Sequence, residues 1–356
     1  MALVGKAVRP EFRRALTVIE VVVALFVLVI IVGFLLPMLS TRHPRGGRQI
    51  KCATQVRGIH QGYVSWAQNN SESYPRPDVL DRANTTEVAE TTGTGGKNRT
   101  GNICSVLMFN KVLTAEVFIS PAEVNPNIRA ITEGEYDFVN PDNVAAGSSA
   151  DQRAQAVYDP VFKGTPRTDD QSAVIATTGS RPPTNVGNNS YAHIPILGNR
   201  IQLWGTVSQI ATIAIVGNRG PYYGDNPTPR DGVTSTWDQF LDDATIPVEQ
   251  GRGSDSMLIH GGKTTWEGNI AYNDGHVKYE TTPTPKEIQI NYQNKFWPDN
   301  LFVNEVTADQ FGDDREQDAY LRAWKKAPRV GFAQDAARVK SNSNTTYQWF
   351  DGQTGQ

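Results

Sequence analysis

The sequence predicts an α+β protein in which a long apolar α-helix near the N-terminus precedes an antiparallel, β-rich globular head. Three observations predict this fold. A dense apolar block covers residues 16–39, the remainder is rich in Gly, Pro, Asn, Thr and Ser, and short alternating apolar segments recur in the second half. Turn-forming residues at this density favour short strands joined by loops over long helices.

Length and composition are those of a globular protein with a sizeable core. The chain has 356 residues, 20% of them charged, and a formal net charge of −3, which gives no overall indication of a nucleic-acid partner. Two cysteines, Cys52 and Cys104, leave two interpretations open. They form a disulfide in an oxidising compartment, or they are two separate buried thiols.

The apolar block is long enough to cross a membrane. A helix over residues 16–39 measures about 36 Å, against a hydrocarbon core of roughly 30 Å. The block is too long for the apolar core of a secretory signal peptide. A plain signal anchor fits the length but does not explain Glu20, the single charged residue of the block. A carboxylate within a bilayer is costly and indicates function, unless it lies near the helix end and reaches the interface.

Basic residues flank the block on both sides. The preceding segment, residues 1–15, is cationic, which predicts that the N-terminus stays cytoplasmic. The segment after the block is basic as well, so charge alone leaves the orientation open; its cations are Arg42, Arg45, Arg48 and Lys51.

The junction between the basic segment and the block resembles the processing site of type IV prepilins. Residues 13–20 read RRALTVIE: basic residues, a small residue, then an apolar run with Glu as its fifth residue. The resemblance implies cleavage between Ala15 and Leu16 by prepilin peptidase and methylation of the new N-terminus on Leu16. It also implies that Glu20 pairs with the α-ammonium group of a neighbouring subunit. Ala15 stands where Gly is usual in that family.

The helix is predicted to bend and then to continue as an amphipathic segment. Gly33 and Pro37 mark a kink, since proline removes a helical hydrogen bond. Over residues 40–70 apolar side chains recur at three- and four-residue steps, which predicts one helix packed on the head; these are Cys52, Val56, Ile59, Tyr63 and Trp66. This segment also resembles the post-membrane part of a pilin-like family abundant in planctomycetes.

The remaining chain divides into a head, residues 71–335, and a polar tail, residues 336–356. Within the head we predict a Thr/Gly/Asn-rich loop at 82–102 and a helix at 312–326. Two strands are predicted as well, Ile201 to Trp204 and Ile210 to Val216.

A second motif lies late in the head, where His260 is followed by an apolar segment and the turn sequence NDGH. Asp274-Gly275 between alternating segments predicts a β-hairpin with a type I′ turn. With Asn269 and His276 this arrangement resembles the "H-X9-DG" box of the same planctomycete-rich prepilin-type family. Here thirteen residues separate His260 from Asp274.

The residue types of this box allow a metal as an alternative to a turn. Asp274, His260 and His276 are candidate ligands for a divalent ion, and Asp274 with nearby carbonyls is a candidate for calcium. A lone Asp-Gly pair is more often a turn, so no cofactor is expected. The chain carries no nucleophile elbow and no His-Glu-x-x-His motif, and we predict that it is not an enzyme.

The expected function is that of a structural subunit of a type IV pilus-like filament or of a type II secretion pseudopilus. Its expected partners are sister pilins, prepilin peptidase, the inner-membrane assembly machinery and the lipid bilayer, with no nucleic acid. The protein would lie in the inner membrane with an extracytoplasmic head, then in a cell-surface or periplasmic filament. Two alternatives are a membrane-tethered module that binds carbohydrate or another polymer, and a tethered metal-dependent enzyme.

Overall fold

The computed structural model describes most of the chain between residues 17 and 324. The described ranges are 17–40, 44–87, 96–132, 134–139, 141, 149–164, 186–196, 200–221, 255–262, 265–292, 295–302 and 319–324. The predicted leader and tail lie outside them, as do Ala15 and Leu16. Inside helices and strands, a few segments are described by their backbone alone, among them residues 33–40, which contain Gly33 and Pro37.

The chain forms two compact units, Met1–Gly47 and Arg48–Gln356. The first contains helix α1, Val18–Ser40. Its described side chains, from Val18 to Val32, are apolar on every side apart from Glu20, and the large ones are 43–82% exposed. Within the described portion of the chain, no helix meets both the length and the apolarity that crossing a membrane requires.

Helix α2, Pro44–Ala67, carries the predicted amphipathic stripe. Cys52, Val56, Ile59 and Tyr63 are at most 2% exposed and belong to the main hydrophobic core. Trp66 is only partly buried, and the last fully buried position of the helix is Ala67. The prediction of a helix that packs on the head through this stripe is therefore confirmed.

The remaining helices of the second unit are short. They are α3 Pro77–Leu80, α4 Thr100–Phe109, α5 Ala150–Arg153 and α6 Arg200–Leu203, with 3-10 turns at Ala115–Phe118 and Asp255–Leu258. Nine of the ten residues of α4 are buried. The predicted loop over 82–102 is therefore wrong at its end, where α4 begins and is packed within the core.

The centre of the second unit is a four-stranded antiparallel sheet in the order β1-β2-β3-β4. A separate pair, β5 and β6, forms a two-stranded antiparallel sheet. The strands are β1 Tyr191–His193, β2 Ala214–Asn218, β3 Gly268–Tyr272, β4 Val277–Glu280, β5 Gln289–Tyr292 and β6 Lys295–Pro298. Helices combined with a small antiparallel sheet confirm the α+β class at that level.

Two predicted elements differ from the observed ones. Residues 200–203 form α6 and not a strand, because a short apolar run does not distinguish a strand from a helical turn. Residues 319–324 are not helical. Arg322 exchanges two backbone hydrogen bonds of 3.0 Å with His193, so this segment lies along the outer edge of β1. The predicted strand at 210–216 is confirmed in its second half, where β2 begins.

The two cysteines are unpaired and buried. Of the two interpretations left open by the sequence, the structure therefore supports two separate thiols. Burial raises the pKa of the Cys104 thiol far above its ordinary value, which keeps the thiol protonated.

Candidate functional site

The first turn of α1 contains a reciprocal cap between Thr17 and Glu20. The Glu20 carboxylate accepts hydrogen bonds from the Thr17 backbone N–H at 2.8 Å and from its hydroxyl at 2.9 Å. The Glu20 N–H donates in return to the Thr17 hydroxyl at 3.4 Å. This is a capping box, Thr-x-x-Glu, whose spacing is visible in the sequence but was not used in the prediction. It directs the carboxylate toward the N-terminal end of the helix.

The predicted hairpin is present, but its turn is of a different type. The Gly275 N–H donates to the Tyr272 carbonyl at 2.9 Å, and the Tyr272 N–H donates to the His276 carbonyl at 3.0 Å. Gly275 has a φ of +90°, whereas Asn273 and Asp274 keep negative φ. The type I′ prediction is therefore wrong, because that turn needs positive φ at two central residues. The pattern is a type I turn closed by a glycine bulge.

Asn273 fixes this hairpin to three neighbouring segments. Its Oδ1 accepts a hydrogen bond of 2.8 Å from the Tyr74 hydroxyl. Its Nδ2 donates to the Leu203 carbonyl at 3.2 Å and to the Ser208 hydroxyl. The Tyr74 hydroxyl also lies 3.3 Å from Nε2 of His60 on α2. The turn is thus joined to α2 through buried side chains, a role that the sequence did not predict for Asn273.

Asn269 anchors the same hairpin to β2. Its backbone N–H donates to Oδ1 of Asn218 at 2.7 Å. The Asn218 amide also contacts Sγ of Cys52 on α2, with its Oδ1 at 3.4 Å and its Nδ2 at 3.3 Å. The Ser120 hydroxyl donates to the same sulfur at 3.6 Å. The cysteine therefore acts as a buried polar contact between α2 and the sheet.

The three candidate metal ligands of the box do not converge. Nδ1 of His276 lies 2.6 Å from Oδ1 of Asp274 at the exposed turn, and the His276 ring stacks on Tyr272 at 4.4 Å. His260 instead contacts the edge of Tyr279. Tyr279 is the register partner of Asn269, so three residues of strand, roughly 10 Å, separate that position from His276 at the turn. No group of three or more potential ligands occurs in the part of the chain that the structure describes.

Three histidines of the head are held neutral by burial. Burial lowers the pKa of His60, His193 and His260 to about 4 in each case. The negative charge of Asp274 opposes this shift at His60, and that of Glu267 opposes it at His260. None of the three is poised to exchange protons near neutral pH.

The sequence analysis also did not predict the buried ion pair between Lys97 and Asp81, which lies at the C-terminal end of α3. Nζ of Lys97 lies 2.7 Å from Oδ2 of Asp81, 2.5 Å from the Asp81 carbonyl and 2.8 Å from Oδ1 of Asn84. Asp81 also accepts hydrogen bonds from the N–H groups of Thr86 and Glu87. The ammonium group of Lys97 is thus enclosed by oxygens of its own chain.

Comparisons of this chain with protein families, with curated proteins and with solved structures gave no match.

Proposed function

We propose that this chain is a structural subunit of a type IV pilus-like filament or of a secretion pseudopilus, polymerised through its N-terminal helix. The observation that carries this proposal is the exposure of α1. Between Val18 and Val32 the large apolar side chains lie on every side of the helix, and each of them is at least 43% exposed. A helix that is apolar all round is stable only when lipid or other protein covers it. In the proposed role the bilayer covers it first, and sister helices cover it after assembly.

The capping box supports an assembly role for Glu20. Its carboxylate reaches back to the N–H of Thr17, the residue directly after Leu16. If prepilin peptidase removes residues 1–15, the new α-ammonium group belongs to Leu16. An isolated ammonium group and an isolated carboxylate are both unfavourable when lipid surrounds them. A sister subunit that brings its α-ammonium group to Glu20 neutralises both charges.

The rest of the proposal concerns the head. The polar contacts of Cys52 hold α2 on the sheet, and His60 joins α2 to the hairpin turn through Tyr74 and Asn273. Such an arrangement suits a head that is carried by α2. The proposed location is the inner membrane before assembly and a cell-surface or periplasmic filament afterwards.

The test separates assembly from helix capping. Gln in place of Glu at this position of a capping box still accepts from the N-cap residue, so Glu20→Gln removes the charge and keeps the cap. Thr17→Ala removes the cap and keeps the charge. We expect Glu20→Gln to abolish filaments in electron micrographs of sheared cells while Thr17→Ala retains them.

The opposite result would contradict the filament proposal. If Glu20→Gln assembles as the unchanged chain does, Glu20 is only a cap. A mature protein whose mass still includes residues 1–15 would also contradict it. The tethered binding module would be favoured by two results together. The unchanged strain would form no filaments, and Glu20→Gln cells would keep their surface binding.

A further inference from the structure

The segment 319–324, which we call the edge segment, covers the outer edge of β1. All of its residues are at most 4% exposed. Arg322 exchanges two backbone hydrogen bonds with His193, and the indole N–H of Trp324 donates to the His193 carbonyl at 3.3 Å. His193 is therefore the residue of β1 through which the edge segment is held.

The imidazole ring of His193 also joins the edge segment to α4. Nδ1 of the ring lies 2.7 Å from the Ile194 carbonyl, and Nε2 lies 2.9 Å from the Thr100 hydroxyl. The same hydroxyl accepts a hydrogen bond of 2.6 Å from the Trp324 backbone N–H. The Thr100 N–H donates in return to the Trp324 carbonyl at 3.0 Å. Thr100 thus lies between the ring and the edge segment.

These contacts determine where the hydrogens of the network lie. A carbonyl oxygen only accepts, so Nδ1 of His193 carries the hydrogen that it shares with Ile194. Nε2 of the neutral ring is then an acceptor, and the Thr100 hydroxyl donates its single hydrogen to it. The neutral ring therefore allows the Thr100 hydroxyl to accept from Trp324 and to donate to His193 at the same time.

A proton added to Nε2 opposes this arrangement. The new N–H points at the Thr100 hydroxyl, which loses the acceptor of its own hydrogen. The added charge is also enclosed, because His193 is only 2% exposed. A buried charge is costly unless an opposite charge accompanies it.

The surroundings of the ring supply no such partner. No carboxylate contacts the His193 ring within the described ranges of the chain. The ring packs on Trp204, with 5.4 Å between centroids, and the register partner of His193 in β2 is Val216. The charged residue directly opposite His193 is Arg322, on the same side of the sheet, and its charge has the same sign. In keeping with this setting, burial lowers the pKa of His193 to about 4.

We propose that His193 is an acid-sensitive switch, in which protonation of its ring opens the edge segment and uncovers the outer edge of β1. This inference does not depend on the filament proposal. Once the segment is open and the ring reaches water, the pKa of His193 returns to its ordinary value near 6.5. The open form therefore binds more protons than the closed form between about pH 6.5 and 4, and opening becomes easier as pH falls through that interval.

The experiment measures deuterium exchange of the full chain in detergent micelles at several pH values between 7 and 4. Exchange rates are corrected for the pH dependence of an unstructured peptide, so that they report opening. Two peptides are compared, one covering 319–324 and one covering β3. We expect the edge segment to be less protected than β3 at each pH. Its protection should fall by up to about tenfold per pH unit below 6.5.

Two matched variants assign the effect to one ring. In His193→Gln the side-chain oxygen still accepts from Thr100 but does not titrate, so the pH dependence of protection at 319–324 should disappear. The control His60→Gln removes another buried histidine, which contacts Tyr74 and not the edge segment. This control should retain the pH dependence at 319–324. Circular dichroism at neutral pH checks that both variants are folded.

Two outcomes overturn the inference. One is equal protection of 319–324 and β3 at every pH in the unchanged chain, because the edge segment would then open only when the whole head unfolds. This comparison needs no variant. The other is a pH dependence at 319–324 that persists in His193→Gln or is lost equally in His60→Gln.

Discussion

The hydroxyl of Tyr74 donates a hydrogen bond of 2.8 Å to Oδ1 of Asn273, across almost two hundred residues of sequence. Both side chains are buried. The bond joins the turn between β3 and β4 to the segment that follows α2. Since Asn273 also donates to Leu203 and Ser208, it is the point at which three separate segments are held together.

Replacing Asn273 by Ala should therefore destabilise the head. The change leaves the Tyr74 hydroxyl and the Leu203 carbonyl without this partner in a buried place, which costs about 2–3 kcal/mol of the free energy of unfolding. Urea denaturation of the full chain measures this. The matched control is Asp274→Ala in the same turn, because Asp274 is partly exposed and its side chain, among the residues that the structure describes, bonds to its neighbour His276. Equal losses from the two variants would show that Asn273 does not anchor the turn.

The buried pair of Lys97 and Asp81 gives a second prediction. The Asp81 side chain is 0% exposed and that of Lys97 is 10% exposed. Lys97→Met leaves a buried carboxylate without its cation, which costs about 3–5 kcal/mol. Adding Asp81→Asn should recover part of the loss, since the two changes act on one interaction.

The control for this pair is Lys286→Met. Lys286 is exposed, and exposed charged side chains of this kind contribute little to stability. Its free energy of unfolding should remain nearly that of the unchanged chain. If Lys97→Met were equally harmless, the oxygens around Nζ would not depend on the ammonium group.

Acid should weaken the head through its buried histidines. The pKa values of His60, His193 and His260 are about 4 in the folded chain, below the ordinary value near 6.5. The unfolded chain therefore binds more protons as pH falls through the interval from about 6.5 to 4, and stability decreases there. Each histidine adds a slope of at most about 1.4 kcal/mol per pH unit.

His193→Gln tests this dependence. The variant removes one of the three histidines, so the slope of unfolding free energy against pH should fall by up to about 1.4 kcal/mol per pH unit between pH 6.5 and 4. Urea denaturation at several pH values gives the slope, and circular dichroism at neutral pH checks that the variant is folded. An unchanged slope would mean that His193 has the same pKa in the folded and the unfolded chain.

The elements that were predicted correctly are those that the periodicity of apolar residues determines. The buried positions of α2 followed from the spacing of Cys52, Val56, Ile59 and Tyr63, because a core-facing stripe repeats with the helical turn. The hairpin followed from two alternating segments around Asp274-Gly275. The assembly role of Glu20 stays a prediction, and its capping box with Thr17 was not predicted.

Other features depended on contacts between distant segments, which local sequence does not encode. The residues Ile201 to Trp204 suit a strand or a helical turn equally, and packing placed them in α6. The segment 319–324 has a helical pattern, but backbone bonds between Arg322 and His193 hold it beside β1.

The sequence by itself determined that an apolar segment with one carboxylate precedes a unit of the α+β class, since hydrophobic spacing and charge are local properties. Tertiary structure alone decided the role of the hairpin box. It separated His260 from Asp274 and His276, and it buried Asn273 against Tyr74. The physical reason is that the partner of a buried polar group is chosen by the folding of the whole chain.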